Sequence, residues 1–215
     1  MKVYTQTLPE GTETVLNRIK NIPDLENFYL SGGTALSLQL GHRESEDLDF
    51  FAENNFNPEV LQHKLSKIGA LDNVEVTEGT LNVFLDNVKL QFLHYPYNLL
   101  EPLQKWEGIL LSSVIDIACT KLITISMRGS KKDFIDLYVI LKQFALSKIL
   151  TKLGEKYSGI NYSHPYILKS LIYFTDADNQ PMPRMHISLN WDEVKETITT
   201  EVKKLKLSGE NINYN

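Results

Sequence analysis

The chain has 215 residues, which is enough for one large domain or two small ones with a hydrophobic core. A net charge of −5 excludes an overall basic surface that would attract nucleic acid by charge alone. The single cysteine, Cys119, excludes an internal disulfide framework, and its apolar surroundings indicate a buried structural thiol. The N-terminal residues contain no apolar h-region and no run of about 18 apolar residues is present, so we predict neither export nor a membrane span and expect a cytoplasmic protein.

The first half of the chain mixes helical and strand patterns. These patterns predict helices over residues 11–21, 34–40 and 58–68, and strands over residues 27–30, 47–51, 74–76, 81–85 and 88–94. Asp86 and Asn87 separate the last two strands and predict a tight hairpin turn. Pro96 and Pro102 then interrupt the pattern and predict a loop, with a domain boundary near residues 100–110.

The second half of the chain is helical in pattern. It predicts helices over residues 112–127, 131–144, 147–157, 165–174 and 191–206, with a polar, proline-bearing loop between the last two. We therefore expect an α/β (α+β) protein. A mixed β-sheet with flanking helices occupies residues 1–108, and an α-helical domain occupies residues 109–215.

The most informative part of the sequence is an Asp-Leu-Asp segment, Asp47-Leu48-Asp49, in front of two phenylalanines. Carboxylates two residues apart on a strand lie on the same face of the sheet, and two such groups can hold a divalent ion. Charged groups in an apolar strand lose hydration energy unless they are paired or bound to metal. The same pair can also be an ordinary solvated strand edge, or can be held by lysine or arginine, and the residues alone leave these alternatives open.

A Gly-Gly pair, Gly32-Gly33, precedes the Asp-Leu-Asp segment and opens a predicted helix. Glycine allows the backbone to approach a phosphate closely, and a helix N-terminus favours an anion. Thr34 stands at this N-terminus, and Arg43 in the following loop offers a guanidinium suited to bidentate phosphate binding. The two segments together indicate a metal-assisted site for a nucleoside triphosphate.

G-G-T-A-L followed by H-R-x-S-x-D-L-D-F-F resembles the AbiEii/AbiGii toxin family of nucleotidyltransferase-like proteins, within the polymerase-beta-like superfamily. Residues 116–137 resemble the family's later motif, a helical lysine followed by a basic-Asp-x-x-Asp-Leu segment. Residues 173–195 resemble the C-terminal part of compact family members. The resemblance implies a nucleotidyltransferase-like core in residues 1–108 and a helical domain in residues 109–215 that completes the cleft.

The resemblance also implies roles for individual residues. The implied nucleotide-binding residues are Gly32, Gly33, Thr34, Arg43, Ser45 and Lys121; the metal ligands are Asp47 and Asp49; and the catalytic residues are Asp47, Asp49, Lys121 and Asp133. Lys132 and Asp136 are further candidates, and they are spaced to pair on one helix. From chemistry alone, Lys121 can instead lie on a solvated helix face, and Asp133 can stabilise the start of its helix.

One departure from the superfamily pattern concerns a third carboxylate on a later strand. The corresponding strand here is Val88-Lys89-Leu90-Gln91-Phe92, so Gln91 replaces the acid. A glutamine carbonyl can bind a metal ion, but it carries no negative charge and is not a general base. Three outcomes stay open: catalysis with two carboxylates and weaker metal binding, replacement of the acid by Asp133 or Asp136, or nucleotide binding without turnover.

The leading hypothesis is a nucleotidyltransferase that uses Mg²⁺ or Mn²⁺. The resemblance implies a toxin that transfers a nucleoside monophosphate from an NTP to tRNA or a protein, with a cognate antitoxin. The alternative is a non-catalytic nucleotide-binding module that has lost the third carboxylate. A third hypothesis is an interaction protein in which the Asp47–Asp49 pair is held in ion pairs.

Overall fold

The computed structural model describes residues 2–23 and 25–207, which fold into two compact units. One unit runs to Ser113 and contains the β-sheet; the other begins at Val114 and is helical. We call them the sheet unit and the helical unit. Within the described residues, no helix is both long enough and apolar enough to span a membrane.

The sheet unit combines helices with a seven-stranded mixed sheet, as the α/β prediction requires. Its helices are α1 (Glu10–Ile19), α2 (Gly32–Leu40) and α3 (Pro58–Leu65). Its strands are β1 (Tyr29–Ser31), β2 (Leu48–Ala52), β3 (Leu71–Thr77), β4 (Thr80–Leu85), β5 (Val88–His94), β6 (Gln104–Trp106) and β7 (Ile109–Leu111). The strand order is β3-β4-β5-β2-β1-β7-β6, with β1–β7 and β2–β5 parallel and the other pairs antiparallel.

Alternation along the central strands separates a buried face of the sheet from an open face. Leu48 and Phe50 of β2 are fully buried, whereas Asp49 between them is half-buried. Phe50 stacks on Phe92 of β5, with ring centroids 5.0 Å apart. Helix α1 packs against β5, and α3 packs against β4. Apolar burial therefore fixes one face of the sheet and leaves the side chain of Asp49 on the other.

The β6–β7 hairpin was not predicted from the sequence. Trp106 pairs with Ile109 across a turn in which Glu107 and Gly108 have positive φ values of 46° and 88°. The expected boundary between residues 108 and 109 therefore falls inside this hairpin, and β7 extends the sheet by pairing with β1. Strands of three residues are too short to show a clear alternation in the sequence.

The helical unit contains α4 (Val114–Arg128), α5 (Lys131–Leu141), α6 (Leu146–Lys156), α7 (His164–Ser170), α8 (Thr175–Asp178) and α9 (Trp191–Leu207). Helix α4 packs against α5, α6 and α7. The helix expected over residues 165–174 ends earlier than predicted, because α7 ends at Ser170, and the unpredicted helix α8 begins after the expected range, at Thr175. Phe174, in the short connection between α7 and α8, packs against Phe134 of α5, with ring centroids 4.9 Å apart.

Candidate active site on the open face of the sheet

Helix α2 begins directly after strand β1, so the two glycines form its first turn instead of preceding the helix. Gly32 has a φ of +63°, a left-handed conformation that favours glycine. A Cβ atom on Gly32 would clash with the carboxylate oxygen Oδ2 of Asp49. The absence of a side chain at Gly32 therefore allows the Asp49 carboxylate to lie directly against the start of α2.

Gly33 lies against two side chains from the loop before β2. A Cβ atom here would clash with Nη2 of Arg43 and would lie 3.2 Å from Oγ of Ser45. Arg43 is buried, and its Nη1 donates a hydrogen bond of 2.8 Å to the carbonyl of Glu44. A guanidinium beside the first turn of α2 adds positive charge where the helix N-terminus already favours an anion.

Thr34 connects helix α2 to the loop that carries Asp47. Its Oγ1 lies 2.9 Å from Oγ of Ser45 and also hydrogen-bonds to the carbonyl of Asp47. The backbone N–H of Ser45 donates to the carbonyl of Thr7 at 3.0 Å, which holds the loop from the other side. Thr34 is fully buried, so its hydroxyl serves to fix the position of this loop.

Asp47 and Asp49 lie at the start of β2. Asp47 is the residue before the observed strand, although the predicted strand over residues 47–51 included it, and Asp49 is the second residue of the strand. Both side chains are half-buried. In residues 2–23 and 25–207, no group of three or more His, Cys, Asp or Glu side chains has the arrangement of a metal site. Asp47 and Asp49 are the two carboxylates that the sequence predicts for this site.

A row of polar residues crosses the open face of the sheet through Asp49. Asp49 is directly opposite Ser31 of β1 and Gln91 of β5. Gln91 is in turn opposite Asn82 of β4, and Asn82 is opposite Glu75 of β3. Nε2 of Gln91 donates a hydrogen bond of 2.8 Å to Oδ1 of Asn82. The structure thus places Gln91 beside Asp49, where the sequence comparison expected a third carboxylate.

Two members of this region were missed in the sequence. Asn82 could have been found, because the two-residue turn predicted between β4 and β5 sets their register and places Asn82 opposite Gln91. Ser112 was predicted only as the first residue of the helix over residues 112–127, but its Oγ donates a hydrogen bond of 2.8 Å to Oγ of Ser31. No local sequence signal reveals that contact, because it depends on the parallel pairing of β1 with β7.

The remaining predicted site residues lie in the helical unit, where they form a buried charge cluster. Nζ of Lys121 lies 2.8 Å from Oδ1 of Asp133 and 2.5 Å from Oδ2 of Asp136. Arg128 contributes Nε, 3.0 Å from Oδ2 of Asp133, and Ser130 donates a hydrogen bond to the same oxygen. Lys121 is therefore not on a solvated helix face, and we call these five residues the helical charge cluster.

The electrostatics of the helical charge cluster keep Asp133 ionised. Burial by itself would raise the pKa of Asp133, but the nearby charges of Lys121 and Arg128 outweigh burial and lower this pKa to about 2. Lys132, the neighbouring residue on α5, is half-buried. Cys119 of α4 is buried as expected, and burial raises the pKa of its thiol to about 12, so the thiol is not a nucleophile at neutral pH.

Comparison with known proteins gives consistent results. Residues 14–105 match the family model described as nucleotidyl transferase AbiEii toxin, type IV toxin–antitoxin system. The uncharacterized protein aq_aa25 of Aquifex aeolicus (strain VF5) is 35% identical over 203 residues, which cover 92% of this chain and 97% of that protein.

Two solved structures show the same fold. MenT4, a nucleotidyltransferase toxin from Mycobacterium tuberculosis H37Rv, matches with a TM-score of 0.57 and 16% identity over 90% of this chain and 82% of its own. A candidate nucleotidyltransferase from H. pylori also matches with a TM-score of 0.57, at 18% identity over 96% of this chain and 100% of its own.

Proposed function

Because the chain belongs to the AbiEii family of nucleotidyltransferase toxins, we propose that it is a metal-dependent enzyme that transfers a nucleoside monophosphate from an NTP to an RNA or protein hydroxyl. The observation that carries this proposal is the contact of the Asp49 carboxylate with Gly32 at the first turn of α2. It brings a carboxylate oxygen next to a helix N-terminus, so a cation ligand and an anion-binding backbone lie side by side.

The triphosphate is proposed to bind at the first turn of α2. Gly32 and Gly33 carry no side chains that would keep a phosphate away from the backbone N–H groups. The guanidinium of Arg43 beside Gly33 supplies positive charge to the same turn. Arg43 and Ser45 thus support the site from the side of the loop, and Thr34 holds that loop to α2.

Asp47 and Asp49 are the proposed ligands of Mg²⁺ or Mn²⁺. Their donor atoms fit such an ion, because both ions prefer oxygen ligands and both carboxylates are half-buried at the start of one strand. When bound, the ion would neutralise triphosphate charge and stabilise the leaving pyrophosphate. In the transfer itself, the acceptor oxygen bonds to the α-phosphorus, the bond to pyrophosphate breaks, and the hydroxyl proton is released.

The family resemblance extends the proposal to the helical charge cluster. The resemblance gives Lys121 a nucleotide-binding role, and Asp133 would orient the Lys121 ammonium. The 2.8 Å distance between Lys121 Nζ and Asp133 Oδ1 supports the orienting role. Asp136, which also lies next to Lys121 Nζ, would share it.

The partners of the reaction follow from the family description. The matched family is described as a toxin of a type IV toxin–antitoxin system, so we propose that a cognate antitoxin counteracts this chain. The proposed acceptor is tRNA, with a protein hydroxyl as the other candidate.

A non-catalytic nucleotide-binding module is the second candidate function. It is favoured by the position of Gln91 directly opposite Asp49, because an amide in this place supplies neither negative charge nor a base. This module would bind an NTP in the presence of Mg²⁺ without releasing pyrophosphate, and Gln91→Asp would be expected to introduce turnover.

The test is incubation with each NTP labelled at the α-phosphate, with Mg²⁺ and total RNA or lysate, followed by identification of the labelled macromolecule. We expect Asp47→Ala and Asp49→Ala to lower transfer by about 100-fold or more while the fold is kept. Glu59→Ala, which removes an exposed carboxylate on α3, is the matched control and should transfer label like the wild type. Undiminished transfer by the double alanine variant would refute the assignment.

A further inference from the structure

We propose that Glu75, Asn82 and Gln91 form an amide relay that directs the carbonyl oxygen of Gln91 toward Asp49 and makes it the third oxygen ligand of the divalent ion. This inference rests on the proposed function, because it assigns a further ligand to the same site. It differs from the interpretation of Gln91 as a lost carboxylate, since the amide oxygen takes the place of the carboxylate oxygen.

The register of the sheet supplies the first part of the argument. Gln91 is directly opposite Asp49 on the parallel strand β2 and directly opposite Asn82 on the antiparallel strand β4. Directly opposite residues point to the same face, with Cβ atoms about 4.5–5.5 Å apart in antiparallel pairs. Gln91 therefore has Asp49 on one side and Asn82 on the other, all on the open face.

The hydrogen-bond chemistry supplies the second part. The Glu75 carboxylate can only accept when ionised, so the group that Asn82 turns toward it must be the amide nitrogen, and Nδ2 of Asn82 lies 3.5 Å from Oε2 of Glu75. Asn82 must then present Oδ1 to Gln91, which matches the 2.8 Å bond from Nε2 of Gln91. A carboxylate at the outer end of the relay thus determines which way both amides are turned.

The orientation of Gln91 has a consequence for the site. With its NH₂ group committed to Asn82, its carbonyl oxygen is left for the side of Asp49. Within residues 2–23 and 25–207, the bond to Asn82 is the one hydrogen bond that the Gln91 side chain makes. Amide carbonyl oxygens are ordinary ligands of hard divalent cations. Asp47, Asp49 and Gln91 would then supply three oxygen ligands, and the two carboxylates among them would carry two negative charges.

The test measures Mn²⁺ binding by water-proton relaxation in the absence of nucleotide, so that the result does not depend on turnover. Gln91→Met removes the carbonyl oxygen with little change in size, and Asn82→Leu removes the acceptor that orients the amide. We expect each variant to bind Mn²⁺ about tenfold more weakly, as is typical when a ligand-orienting group is lost. Asn82→Asp keeps an acceptor for Gln91 Nε2 and should restore the affinity that Asn82→Leu loses.

Two controls accompany these variants. Gln143→Met changes an exposed glutamine in the helical unit and should bind Mn²⁺ like the wild type. Circular dichroism and thermal unfolding of every variant verify that the sheet is intact.

The possible failures can be told apart. If Gln91→Met binds Mn²⁺ as tightly as the wild type while Asp49→Ala does not, Gln91 is not a ligand and the inference is overturned. If Gln91→Met weakens binding and Asn82→Leu does not, the orienting relay is overturned. If neither the wild type nor Asp49→Ala binds Mn²⁺, the metal-dependent function itself is refuted together with the inference.

Discussion

The predicted site residues with charged side chains lie in two regions of this molecule that differ in their exposure to solvent. In the sheet unit, Asp47 and Asp49 are half-buried at the start of β2, next to a helix N-terminus. In the helical unit, Lys121 is 5% exposed, and Asp133 and Asp136 are 0% exposed. The family resemblance implies functional roles for residues in both regions, although their surroundings differ.

The difference shows that a motif residue can serve chemistry, stability or both. Buried charges require compensation from within the protein, and Lys121 receives it from two carboxylates. Half-buried carboxylates can instead be compensated by water or by a bound cation. Substitutions in the sheet unit should therefore affect binding more than folding, and substitutions in the helical charge cluster should affect folding first.

The largest expected effect is that of Lys121→Met. The substitution leaves Asp133 and Asp136 buried without their shared cation, so we expect the free energy of unfolding to fall by about 3–5 kcal/mol. Denaturant titration of the purified protein measures this change. Lys203→Met, at an exposed lysine on α9, is the matched control, and we expect it to change stability by less than about 0.5 kcal/mol. If Lys121→Met keeps wild-type stability and loses only label transfer, the proposed contrast between the two regions is wrong.

A smaller effect is expected from acid. Because the pKa of Asp133 in the folded protein is about 2, below its ordinary value of 3.8, its ionised form stabilises the fold above pH 3.8. This contribution of about 2 kcal/mol should be lost as the pH falls through 3.8 toward 2. Unfolding free energies measured across this range should fall less steeply for Asp133→Asn than for the wild type. Parallel pH profiles would show that Asp133 does not supply this acid-dependent stability.

The smallest effect on stability is expected at Gly32, a residue that we expect to affect both the stability of the fold and the binding of the metal ion. Gly32→Ala introduces a Cβ atom at positive φ and against Asp49, so we expect a loss of about 1–2 kcal/mol. The same substitution should also weaken Mn²⁺ binding, because the Asp49 carboxylate must move. Gly11→Ala on α1 is the matched control, since a Cβ there has no atom within 4 Å, and alanine should keep or raise stability. If Gly32→Ala binds Mn²⁺ as tightly as the wild type, Gly32 is not needed for the metal site.

Much of the fold could be predicted because its signals are local. The alternation in β4 and β5 and the turn at Asp86-Asn87 define the β4–β5 hairpin. The predicted bounds of β5 are those observed. The helix predicted over residues 165–174 was too long at its C-terminal end, and the β6–β7 hairpin was missed, for the same reason. In both places the chain direction depends on tertiary contacts, such as that of Phe174 with Phe134.

By itself, the sequence determined which functional groups the protein contains and their order along the chain. The Gly-Gly turn and the Asp-Leu-Asp segment could be read from residue types and spacing, and the family resemblance pointed to Gln91 in the place of an acid. Only the tertiary structure decided which groups are neighbours and which are removed from water. The parallel pairing of β2 with β5 places Gln91 opposite Asp49, and helix packing buries Lys121 between two carboxylates. Both depend on contacts between residues far apart in the chain, for which local periodicity carries no signal.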